Sequence, residues 1–267
     1  MIKIFTTILI VILLLSLPQK IEDEQWREDK EETIEKIFTV VYPEDSTPIK
    51  KVQEKKVEST PTNGWWRYPD TIYETTKNGN HLLVLVNKQY KLPSTYAPSD
   101  LVKASNSGIR RGSSYYLRNI LIADLTNMIS DAKADGIDLS IVSGYRSYQT
   151  QLSTYNYWLK KNNNNVEYVD TFSARAGHSQ HQLGTTIDFS TNEIGDALGD
   201  RFSNTKASKW LKSNAYKYGF VISYPKGYEH ITGYKHESWH YRYIGKGNAL
   251  EMINSGMILE NYLRSKN

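Results

Sequence analysis

Apolar and polar positions change rhythm several times along this chain. A run of apolar residues from Ile4 to Leu15 follows Lys3 and stops at Pro18, Gln19 and Lys20. That pattern reads as an export signal over residues 1–20. No small-x-small cleavage site follows, and the run is shorter than the ~20 residues of a spanning helix, so a cleaved signal and an uncleaved membrane anchor both stand. Residues 21–64 read as a short charged helix up to Val41, then a linker with three prolines and a lysine-rich stretch. A domain is expected over residues 65–267. Within it His81–Val86 reads as an apolar strand, and Leu92–Leu101 as an extended, proline-marked connection. Tyr116–Asp135 reads as a helix with Leu117, Leu121, Leu125, Met128, Ile129 and Ala132 on one face and Gly136 as its stop.

Shorter elements follow. Ile137–Ser143 has strand composition, and Ser147 is placed to cap a helix running to about Lys160, before the polar loop Asn162–Asn165. Thr185–Ser190 alternates as a strand does. Asn204–Tyr218 reads as a helix stopped by Gly219, Phe220–Tyr224 and Trp239–Ile244 as aromatic, β-branched strands, and Gly247–Leu263 as a helix. Helices come first and short strands gather later, which argues for an α+β fold rather than repeated βαβ units.

Composition narrows the chemistry. A net charge of +4 is too small to argue for nucleic acid as a partner. The chain has no cysteine, so disulfides and thiolate ligands are excluded and any metal is held by nitrogen and oxygen. Twenty tyrosines and six tryptophans suit an aromatic groove for peptides or sugars, and equally suit strands.

Five of the six histidines lie in the last third, at His178, His181, His230, His236 and His240. Ser179–Asp188 (SQHQLGTTID) carries His181 and Asp188, and Glu237–His240 (ESWH) carries Glu237 and His240. A hydrolytic zinc has three protein ligands and an open position, and a nearby carboxylate takes and returns a proton. The two stretches supply candidates for each part. His236–His240 also matches H-E-x-x-H, which needs a helix to bring both histidines to one face. Gly227 and Gly233 before it and Trp239, Tyr241 and Tyr243 after it indicate a strand instead, with His240 and Arg242 on one side, the aromatics on the other and Glu237 on the entering turn.

Three blocks then carry a resemblance. Ser143–Gln151 (SGYRSYQTQ), S-x-H-x-x-G-x-x-x-D over Ser179–Asp188, and E-x-W-H over Glu237–His240, in this order and at these separations, resemble the VanY-type D-alanyl-D-alanine carboxypeptidases, the LAS zinc peptidases of the bacterial cell wall. The resemblance spans about Leu82–Gly245. It implies a LAS/hedgehog-like domain, a small antiparallel sheet carrying the zinc site and flanked by helices. It also implies one zinc ion per chain, with His181, Asp188 and His240 as ligands, Glu237 as general base and acid, and Arg146 facing the developing oxyanion. Gln151 and Ser179 would hold the substrate's terminal carboxylate. Thr186, Ser238 and His236 depart from the usual pattern beside the ligands. The implied activity is zinc-dependent removal of C-terminal D-alanine from peptidoglycan stem peptides by an exported protein, secreted or anchored at the cell surface. An L,D-carboxypeptidase on tetrapeptide stems and a cell-wall endopeptidase share this chemistry. A non-catalytic wall-binding module would have lost Glu237 or a ligand, and none is lost.

Overall fold

The computed structural model describes residues 64–267, so the expected export segment (1–20) and nearly all of the expected charged helix and linker (21–64) lie outside the described residues. The elements, in order, are β1 (Tyr73–Glu74), β2 (Tyr90–Lys91), β3 (Leu101–Lys103), β4 (Tyr116–Arg118), α1 (Ile122–Ala134), β5 (Ser140–Ser143), α2 (Tyr148–Lys161), α3 (Val166–Asp170), β6 (Thr186–Ser190), α4 (Lys206–Asn214), β7 (Phe220–Ile222), α5 (Glu229–Thr232), β8 (His240–Tyr243), α6 (Lys246–Asn254) and α7 (Leu259–Lys266). The expected α+β class is what the chain forms.

An antiparallel sheet of order β5-β6-β8-β7 is the centre of the fold. Strand alternation sends Ile187, Phe189, Tyr241 and Tyr243 into a core shared with Leu125 and Met128 of α1 and Leu211 of α4. Asp188 and His240 leave by the opposite face. A second apolar cluster, built by α6 and α7 around Met252, Ile258, Tyr262 and Leu263, packs against Val221 and Ile244. Gly219 must be glycine: its φ is +85° and an added Cβ would lie 2.8 Å from the Tyr243 ring and 2.9 Å from the backbone of Gly245.

Three expected elements differ. The first turn of the expected helix Tyr116–Asp135 is strand β4, because Leu101–Lys103 offers an antiparallel partner in register, and α1 begins only at Ile122. His81–Val86 is not a strand: no strand pairs with it, and the carbonyls of Leu82 and Val84 instead accept from Arg242 Nη2 at 2.9 and 2.6 Å. The last helix is two, α6 and α7, separated by a turn at Gly256 (φ +67°). The short helix α3 follows the polar loop unannounced, capped by Asn165, whose side chain accepts from Tyr168 N at 3.0 Å. Helix α2 begins at the Ser147 cap as expected, with Thr150 N donating to its hydroxyl.

Candidate active site

Antiparallel pairing of β6 with β8 places Asp188 directly opposite His240. Side chains of directly opposed residues project from the same face, so Asp188 Oδ1 meets His240 Nδ1 at 3.1 Å. His181 comes from the single-turn helix Gln180–Leu183 before β6. Ser179 starts that turn by accepting from His181 N, and Gly184 ends it at φ +68°. An added Cβ at Gly184 would lie 2.9 Å from the Arg118 side chain, so the return into β6 requires glycine. The result brings His181 Nε2 to 3.1 Å from Asp188 Oδ2. One donor atom from each of His181, Asp188 and His240 lies within 4.8 Å of the others, and all three side chains are buried.

Surrounding groups orient this set. His181 Nδ1 is 2.7 Å from the Gly144 carbonyl, to which it donates, leaving Nε2 as the free lone pair toward Asp188. His240 Nε2 faces Gln180 Oε1 at 3.4 Å, and that oxygen also accepts from Ser223 Oγ at 2.7 Å. Asp188 Oδ1, although buried, makes no hydrogen bond of normal geometry. Two imidazole nitrogens and a buried carboxylate aimed at one point fit a divalent cation once His240 gives up its proton, and two nitrogens with one oxygen suit zinc.

Glu237 sits on the turn entering β8, its Oε2 3.3 Å from His240 Nδ1. Burial raises its pKa above the usual carboxylate range, against the pull of His240. Burial also opposes charge on His181, holding its pKa down at about 4, and opposes charge on His240 too. There the carboxylates of Asp188 and Glu237 win, and the pKa rises to about 9. Burial alone would push Asp188 up, but its two histidines hold it well below its usual range. The site therefore attracts positive charge, as a metal centre must.

Arg146 Nη2 is 3.8 Å from Asp188 Oδ2, and burial lowers the guanidinium's pKa. Its Nη1 donates to Gln151 Oε1 at 2.8 Å, while Gln151 Nε2 donates to the Ala174 carbonyl at 2.6 Å. Both polar ends of Gln151 are thus engaged within the protein, so it holds Arg146 in place. Ser179 lines the same cavity, about 580 Å³ in volume, whose aromatic wall includes Trp158, Tyr168 and Phe172.

His236 stands outside the ligand group. Residues 233–239 are not helical, and His236 Nδ1 binds the Tyr224 carbonyl at 2.9 Å. The H-E-x-x-H match is a coincidence of spacing. His178 is buried elsewhere, against the Asn87 carbonyl and the Tyr68 ring. Sequence reasoning missed Gln180, Ser223 and the Gly144 carbonyl. Gln180 lies inside the singled-out stretch, but only the folded chain turns it toward His240.

The VanY family model, described as D-alanyl-D-alanine carboxypeptidase, matches residues 114–246. YodJ of Bacillus subtilis (strain 168) is 41% identical over 193 residues, spanning 71% of this chain and 69% of that protein. The chain belongs to the VanY family of D-alanyl-D-alanine carboxypeptidases. Other VanY-family relatives include the D-alanyl-D-alanine carboxypeptidase of Enterococcus faecium, 28% identical over 71% of this chain and 59% of that protein. Among solved structures, the LdcB LD-carboxypeptidase superposes with a TM-score of 0.65 at 35% identity, over 74% of this chain and 92% of that chain. A mutant of the D,D-pentapeptidase VanY from a VanB-type cassette, in complex with Zn(II), superposes at 0.56 with 29% identity, over 68% and 98%.

Proposed function

We propose that the protein is a zinc-dependent carboxypeptidase that removes C-terminal D-alanine from peptidoglycan stem peptides by cutting a D,D bond. The observation that carries this reading is the convergence of His181, Asp188 and His240 beside a half-buried carboxylate, Glu237, and a half-buried guanidinium, Arg146, at one cavity. His181, Asp188 and His240 hold one zinc ion, the metal of the VanY structure solved with Zn(II). When bound, zinc supplies Lewis acidity toward a water and a carbonyl oxygen.

The chain's own groups do the rest. Glu237, made more basic by burial, accepts the proton of the attacking water at its carboxylate and returns it to the departing amine. Arg146 presents a fixed cation to the developing oxyanion, and its anchors, Gln151 Oε1 and Ser143 Oγ at 3.3 Å, keep it there without reorganisation. Cutting only the last residue requires recognition of a free carboxylate. Arg146 and Ser179 supply donors for it on the cavity wall, with Gln151 acting through Arg146. Trp158, Tyr168 and Phe172 give the peptide an apolar surface to lie on.

A second reading, L,D cleavage of a tetrapeptide stem, has a specific support in the likeness to the LdcB LD-carboxypeptidase. The protein works outside the cytoplasm, at the cell wall where its substrate lies. Residues 1–20 serve for export or anchoring, and residues 65–267 as the catalytic domain.

Mass analysis of products from defined pentapeptide and tetrapeptide stems tests the reading. Loss of one alanine from the pentapeptide is expected. Loss from the tetrapeptide alone assigns the L,D activity, and no alanine from either overturns carboxypeptidase function.

A further inference from the structure

Beside the catalytic cavity lies a second cavity of about 630 Å³, and Asp200, Lys235 and His236 line both. Its charge is one-sided. Lys209 and Lys212, one turn apart on α4, line it together with Lys226 and Lys235, and Asp200 is the one carboxylate of the lining among the described residues. The whole chain is nearly balanced at +4, so this concentration of cations is local. Lys235 sits at the junction, its ammonium 4.7 Å from the centre of the Tyr168 ring on the catalytic side. Ile222 and Pro225 add apolar surface. Cations around an apolar floor suit a peptide bearing carboxylates better than a bare polyphosphate chain, which has no apolar part to bury.

We infer that this cavity binds the part of the substrate upstream of the scissile bond and selects peptides with free carboxylates there. The inference rests on the carboxypeptidase reading and extends it: the terminal carboxylate is read beside Arg146, and upstream carboxylates by the lysines. Amidation of those upstream groups would then weaken binding. Two exposed charge pairs together give a preference on the order of tenfold.

The test uses the full chain with zinc and the substitution Glu237→Ala, so that peptide is bound but not consumed. Two synthetic pentapeptides ending in D-Ala-D-Ala are compared by fluorescence anisotropy. One carries free carboxylates on the upstream residues and the other carries them as amides. The free-acid peptide should bind about tenfold more tightly, with the difference shrinking as salt rises. The further double substitution Lys209→Gln with Lys226→Gln should cut the preference severalfold, with Lys212 and Lys235 remaining. The same ratio should appear in KM of the unsubstituted enzyme. Equal Kd values before the lysines are changed would overturn the inference, as would a double variant that weakens both peptides alike. A poly(glycerol phosphate) chain that displaces the acidic peptide more effectively than unlabelled peptide does would assign the cavity to a polymer instead. Alanine release from both peptides without a binding preference sinks this inference alone. A preference without alanine release sinks the carboxypeptidase reading and leaves the cavity as a site for acidic peptides with no scissile bond.

Discussion

Glu237→Ala separates proton transfer from metal binding. Glu237 Oε2 lies 3.3 Å from His240 Nδ1, near enough to serve the reacting water and near enough to be mistaken for a ligand. His181, Asp188 and His240 converge without it, so the variant should keep one zinc per chain. Losing a general acid–base costs about 10²–10⁴-fold in kcat, equivalent to about 3–5 kcal/mol of barrier. Stability should change little, because burial already disfavours the charge that is removed. Removing that carboxylate also takes away one of the two that raise His240, so the His240 pKa should fall from about 9 when metal is absent. Alanine release measures kcat, and metal analysis after dialysis at defined free zinc measures occupancy. The isosteric Glu237→Gln, whose amide accepts no proton, should be equally inactive. Zinc below one per chain in both variants would make Glu237 a ligand, and turnover above about a tenth of the parent's would end its role as base.

Replacing His236 with alanine should leave zinc content unchanged and cost about 1 kcal/mol for its lost bond to the Tyr224 carbonyl; a metal-free product would restore the helical H-E-x-x-H reading. Gly219→Ala should lower stability by about 2–4 kcal/mol in denaturant titration, since it combines a left-handed φ with contacts of 2.8–2.9 Å to the Tyr243 ring and the Gly245–Lys246 backbone, and a loss under 1 kcal/mol would contradict that packing. His178 is held at about 4 by burial, against 6.5 when unfolded. Its unfolded form takes up a proton first as pH drops, so its stabilising contribution is full above pH 6.5 and is lost between 6.5 and about 4. His178→Gln should show a shallower decline over that interval in pH-dependent unfolding, and an unchanged slope would refute the assignment.

Short-range information was legible in the chain. The spacing of apolar residues in α1 and α4, the Ser147 cap of α2, the glycine stops and the alternation through β6 and β8 depend on neighbours a few residues apart, and these elements formed, α1 and α4 shorter than read. The kind of metal site was legible too: the absence of cysteine leaves nitrogen and oxygen ligands, and the three blocks shared with VanY-type carboxypeptidases implied which residues supply them. What failed depended on distant partners. Tyr116–Arg118 carries a helical pattern yet pairs with Leu101–Lys103, and His81–Val86 carries a strand pattern yet has its carbonyls taken by the buried Arg242.

The sequence by itself determined which residue types could bind a cation and roughly where the strands and helices lie. Tertiary structure decided that Asp188 and His240 face each other across β6 and β8, that Gln151 spends both polar atoms on Arg146 and Ala174, and that Gln180 backs His240. The physical reason is range: propensity and capping act within a turn of backbone, whereas register between strands more than fifty residues apart is set by which faces the whole core buries.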